Sequence, residues 1–92
     1  MDYNFREAMS RILYLTLKKK WFDLIASGEK TKEFRDIKPY WTTRLLNKEF
    51  DEIYFKNGYS EKSPFMRVEW KGMNVEDNRY VISLGRVLEV KN

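Results

Sequence analysis

Ninety-two residues with 18 Lys and Arg against 14 Asp and Glu make one small basic domain of net charge +4. So short a chain buries a smaller share of its surface than a large domain, yet 42% hydrophobic and 16% aromatic content supports an ordered core and excludes wholesale disorder. The absence of Cys and His excludes disulfide frameworks, thiol nucleophiles, zinc fingers and imidazole bases, which leaves any catalysis to Lys, Asp/Glu, Ser/Thr or Tyr.

No Asp/Asn-rich loop of the kind that holds calcium is present, and the sequence predicts neither a metal nor a cofactor. No apolar run approaches the ~18 residues of a membrane-spanning helix, and the charged start Met1-Asp2-Tyr3-Asn4 has no signal-peptide stretch. A cytoplasmic protein without a membrane partner is expected. The mild basic excess is compatible with a nucleic-acid partner.

Residues 1–10 read as an N-terminal arm and 11–92 as the domain. From Arg11 the alternation predicts a strand, with Leu13, Leu15 and Leu17 on one face and Ile12, Tyr14 and Thr16 on the other. Two apolar faces predict a central strand. The period then changes over Lys18–Ser27, where Trp21, Leu24 and Ile25 form a helical stripe flanked by Phe22, with Gly28 as the helix stop. Thr31–Asp36 reads as extended. Pro39 suits the first turn of a second helix whose Trp41, Arg44 and Leu45 share a face.

Three more strands are expected: Asp51–Lys56 with Ile53 and Phe55 inward, Phe65–Lys71 with Met66, Val68 and Trp70 inward, and Arg79–Val90. Gly85 inside the last suggests a bulge or bend. The order β-α-β-α-β-β-β fits an α+β domain with a small, mostly antiparallel sheet curled into a barrel.

The stretch Gly28-Glu29-Lys30-Thr31-Lys32-Glu33-Phe34-Arg35 joins a helix end to an incoming strand. In a strand Glu33 and Arg35 share a face about 7 Å apart, while Phe34 points the other way and anchors in the core. Lys30, at the turn, reaches over the same cleft. The result is a cation–acid–cation group in which Arg offers a planar donor fork to phosphate or carboxylate and the acid holds both cations. A solvated strand face with a weak surface ion pair is the plain structural alternative.

The spacing G-x-K-x-x-E-x-R, filled by Gly28, Lys30, Glu33 and Arg35, resembles the signature of the ASCH domain (activating signal cointegrator-1 homology), a relative of the PUA RNA-binding domain. The preceding Leu13–Ser27 looks like that family's entry element and Tyr80–Gly85 like its final strand, so the likeness covers most of Arg11 to Val90. The resemblance implies a small PUA-like β-barrel of about five mostly antiparallel strands with two short helices. It also implies a cleft lined by the motif residues, and RNA binding or RNA-linked chemistry. A bacterial subgroup hydrolyses N4-acetylcytidine with the motif lysine, a threonine three positions later and a distant glutamate. Lys30 matches the lysine, with Thr31 next to it; Glu33 stands at the threonine position, and Glu69 and Glu76 are the candidates for the later acid.

Outside the motif, Lys18-Lys19-Lys20 opposes the helix dipole at the first turn, so Lys18 and Lys20 are either a solvated face or phosphate contacts. Tyr40 is the candidate for stacking on a base, whereas Trp41 and Trp70 read as core. Lys56–Ser60 forms a turn, and Arg67, Glu69 and Lys71 line one strand face that extends the charged surface. The expected function is binding of RNA or a nucleotide-like ligand by Lys30, Glu33 and Arg35, joined by Lys18, Lys20 and Tyr40. One alternative is a small hydrolase of a modified nucleoside, or a ribonuclease, with Lys30 and Glu33 handling protons. Another is a module whose basic surface meets an acidic protein.

Overall fold

The computed structural model describes residues 11–92; the expected arm over 1–10 lies outside the described residues. The elements run β1 (Ile12–Thr16), α1 (Lys19–Ala26), β2 (Lys32–Asp36), α2 (Pro39–Leu45), β3 (Glu52–Lys56), β4 (Phe65–Glu76) and β5 (Arg79–Lys91). This is the expected α+β order. Among the described residues, no helix is long and apolar enough to cross a membrane.

All five strands join one sheet in the order β1-β3-β4-β5-β2. Three pairs are antiparallel and one, β1 with β3, is parallel. The first strand is therefore an edge, not the centre, and Tyr14 on its outer face is 67% exposed. Its second apolar face meets a cavity rather than a second layer. The sheet curls into a half-barrel that brings its two edges together: an Nη2 of Arg35 on β2 donates to the Thr16 carbonyl on β1 at 3.4 Å. A side chain, not a ladder, bridges the gap.

The concave face holds the core. Leu13, Leu15, Ile53, Phe55, Met66, Val68 and Ile82 alternate inward from four strands, and Phe22, Ile25 and Leu45 close it from the helices. Trp70 joins it as expected, its ring edge-on to Phe50 at 5.0 Å. Trp21 does not: Phe22 and Ile25 carry the buried stripe of α1, and Trp21 is 40% exposed. Trp41 is half-buried, touching the core with one side only. A Thr42–Tyr80 hydroxyl hydrogen bond of 2.6 Å ties α2 to β5.

β4 runs beyond the expected Lys71 to Glu76 and turns through Asp77 and Asn78, whose φ values of 51° and 61° make a two-residue hairpin. Asp and Asn tolerate that left-handed region where most side chains do not. Gly85 lies at a register irregularity, as expected: between Val68↔Val87 and Trp70↔Leu84, β5 advances three residues while β4 advances two. A Cβ at Gly85 would come within 2.8 Å of a Glu69 carboxylate oxygen. The same oxygen accepts a 2.9 Å hydrogen bond from the Arg86 N–H, which holds the Glu69 pKa below its ordinary value. Glu69 is thus committed to the backbone of the bulge.

Arg67 is committed as well. Its Nε and Nη2 form a fork on Glu52 at 2.8 and 2.9 Å, and Nη1 reaches Glu89 at 3.1 Å. The Arg67 hydrogen bond depresses the Glu52 pKa, and the two carboxylates raise that of Arg67. A depressed carboxylate pKa stabilises the fold above the unfolded value, and that stability is lost as pH falls through the folded value. Urea midpoints measured from about pH 6 down to about pH 2 should therefore decline below the ordinary carboxylate range near 4. The decline should be shallower in Arg67→Gln, where Glu52 loses the donor that depresses it. Parallel curves would rule the pair out as a source of acid sensitivity.

Candidate functional site

A cavity of about 820 Å³ opens where the edges β1 and β2 face each other. Its walls come from β1 and the start of α1 on one side and from the Lys30–Arg35 segment on the other, with α2, Tyr59 and Arg79 at its margin. Local chemistry sets the motif. Gly28 takes φ +86° just past the end of α1, and the Lys30 N–H then donates back to the Leu24 carbonyl at 3.0 Å. Lys30 is thereby fixed to the helix end before β2 begins.

The three predicted motif residues meet. Lys30 Nζ lies 3.2 Å from Glu33 Oε1, and Arg35 Nη1 donates to Glu33 Oε2. Arg35 Nη1 also donates to its neighbour's carbonyl, that of Phe34, at 2.8 Å. Glu33 is 5% exposed, so it is a buried carboxylate rather than one on a solvated strand face. Its two partners make that burial tenable, because each oxygen faces a cation. The cations in turn lie on aromatic faces. Lys30 Nζ sits 4.7 Å from the Phe34 ring centroid and 5.4 Å from that of Trp21, and the Arg35 guanidinium is 5.0 Å from Trp41.

Phe34 is not the expected core anchor. It is half-buried and lines the cavity, with Lys30 and, at 4.3 Å, Arg79 over its ring. β2 is an edge strand at the cavity, so residues from both of its faces reach the opening. Of the other candidate residues, Lys18 and Tyr40 line the cavity. The Arg44 guanidinium covers the Tyr40 ring at 3.5 Å. Lys20 does not line it; its amine lies over the Trp21 ring at 4.8 Å. Arg67, Glu69 and Lys71 also lie off the cavity, and so does Glu76. The first two are used in bonds between strands, so these side chains do not extend the site.

Arg79, Tyr59, Tyr14 and Trp21 line the cavity although their sequence pattern gave no such reading. Arg79 is placed by its pairing with Asp36 across β5 and β2, a contact between residues distant in the chain. For Trp21 the signal was present in the chain: it precedes Phe22 on the same turn, and only one of two adjacent rings can face the core.

Four basic side chains, Lys18, Lys30, Arg35 and Arg79, face one acidic one, Glu33. Glu33 pairs with both Lys30 and Arg35, whereas Lys18 and Arg79 have no carboxylate partner among the described residues. The arrangement can hold a planar group among its rings and an anionic group at its margin. No family model matches this chain, and no curated protein matches it.

Proposed function

We propose that the cavity binds RNA or a nucleotide-like ligand, the role that the resemblance to the ASCH domain implies, in a cytoplasmic protein. The observation that carries this reading is the buried Lys30–Glu33–Arg35 group beneath an aromatic cavity with a net positive lining. Glu33 orders the two cations and leaves their remaining donors to base or sugar oxygens. Lys18 and Arg79 meet phosphate, and Tyr40 packs on the base. The hydrolase alternative gains nothing from the geometry, because Glu33 stands at the family's threonine position and Glu69 and Glu76 do not line the cavity.

Trp21 and Trp41 line the cavity, so their emission reports its occupancy. Titration with nucleoside monophosphates and short single-stranded RNA should quench it, with affinity that falls steeply as salt rises. Lys30→Arg should keep most of the affinity and Lys30→Ala should lose about tenfold or more, in line with the strength of a charge-assisted contact. Failure to bind at low salt, or binding indifferent to salt, rejects the reading. N4-acetylcytidine should not be turned over; clear turnover abolished by Lys30→Arg would instead make this an enzyme, since arginine keeps the charge but not the titratable proton.

A further inference from the structure

The outer face of the sheet carries a second aromatic group that the cavity does not use up. Tyr14 on β1, Tyr54 on β3 and Phe65 on β4 touch in sequence, with ring centroids 5.5 and 4.9 Å apart, and the Tyr54–Phe65 pair is stacked within 9° of parallel. Tyr14 and Tyr54 are directly paired in the β1–β3 ladder, and all three rings sit on the face opposite Ile53, Phe55, Met66 and Val68. Tyr14 also lines the cavity. The strip therefore starts at the cavity and leads away from it across three strands.

Charge divides along this face. On one side of the strip, Arg67 is held by Glu52 and Glu89. On the other, Phe65 is paired with Lys56 on β3 and Lys91 on β5, so the two lysines leave the sheet on the same face as its ring. Neither lysine has a carboxylate partner among the described residues. The Leu17 N–H donates to the Lys56 carbonyl at 2.7 Å, which sets this basic side next to Lys18 at the cavity.

We propose that the Tyr14–Tyr54–Phe65 strip, with Lys56 and Lys91 beside it, is a second nucleotide subsite, so that the ligand is a single-stranded oligonucleotide running from the cavity over the sheet. Bases pack on the rings and phosphates follow the lysines, a division of labour suited to single strands, whose bases are free to stack. This inference rests on the cavity reading for its first nucleotide. A lone nucleotide would leave the strip empty.

The test is anisotropy of labelled RNA and DNA single strands of increasing length, from one nucleotide to about eight, alongside the tryptophan quench. Affinity should rise about fivefold or more from one nucleotide to three or four, then level off. The Lys56→Ala, Lys91→Ala double variant changes only exposed or half-buried lysines. It should erase most of that gain and lower the salt slope by about 1.4, two phosphates at ~0.7 each, while the quench by a mononucleotide is unchanged. Tyr54→Leu, which keeps apolar bulk, should reduce the gain in the same way. Length-independent affinity, with the quench intact, overturns the strip and leaves the cavity reading standing. Length-dependent binding without any quench overturns the cavity reading and the continuous path, and saturation by an acidic peptide in place of nucleic acid overturns both. A DNA strand binding as tightly as RNA supports the strip and assigns it to single strands of either sugar.

Discussion

Glu33→Ala is expected to destabilise the domain by about 3–5 kcal/mol, because it removes the shared partner of two cations and leaves them uncompensated in a largely buried setting. The side chains of Lys30 and Arg35 are 15% and 14% exposed, so neither cation gains full hydration without moving. For a domain of this size a kilocalorie is worth roughly 4–8 °C, and the melt should drop by about 12 °C or more. Glu33→Gln keeps the shape and one acceptor but not the charge, and should fall between wild type and alanine. Replacing the whole group, with Lys30→Met, Glu33→Leu and Arg35→Met together, should restore most of the stability, since no buried charge remains, and should abolish ligand binding. A Glu33→Ala melt within about 1 °C of wild type would mean that the cations swing into water and that the group is not a structural clamp.

The two phenylalanines of adjacent interest should separate in the opposite sense. Phe55 is fully buried on the interior strand β3, and Phe55→Ala should cost about 3–5 kcal/mol through lost burial and the cavity left behind. Phe34 is half-buried and outside the core cluster, so Phe34→Ala should cost clearly less. Its larger effect should be on ligand affinity, because the ring supports Lys30 and Arg79. Chemical denaturation of both variants beside the tryptophan titration checks this. Equal losses of stability would put Phe34 back among the core residues.

The half-barrel explains why stability and site are so closely joined in this chain. The sheet's edges β1 and β2 have no strand between them, and the Arg35–Thr16 hydrogen bond spans the gap. Arg35 therefore meets four groups at once: a buried carboxylate, the Phe34 carbonyl beside it, the backbone across the opening and the face of Trp41. A ligand entering the cavity competes with or builds on these contacts, and that is the physical basis for expecting the Lys30–Glu33–Arg35 variants to alter binding and melting together.

Element types and most of their limits were legible in the chain, because they depend on local patterns. Leu13/Leu15, Ile53/Phe55 and Met66/Val68 alternate with period two, Pro39 opens α2, and Gly28 stops α1, where it takes a positive φ. The grouping of Lys30, Glu33 and Arg35 was legible for the same reason, since a helix end, a turn and one strand repeat bring them together without help from the rest of the chain. Strand order was not. Whether β1 is central or an edge depends on which strands pair with it across some 40 residues of sequence, and no local period records that.

Burial of the motif was decided by the same long-range pairing. Once β1 and β2 became opposing edges, Glu33 closed inward between its cations, Phe34 and Trp21 turned from expected core to cavity wall, and Arg79 arrived from the far end of β5. Hydrophobic periodicity states which residues prefer to leave water. Only the curl of the sheet determines whether they meet the core or the opening between its edges.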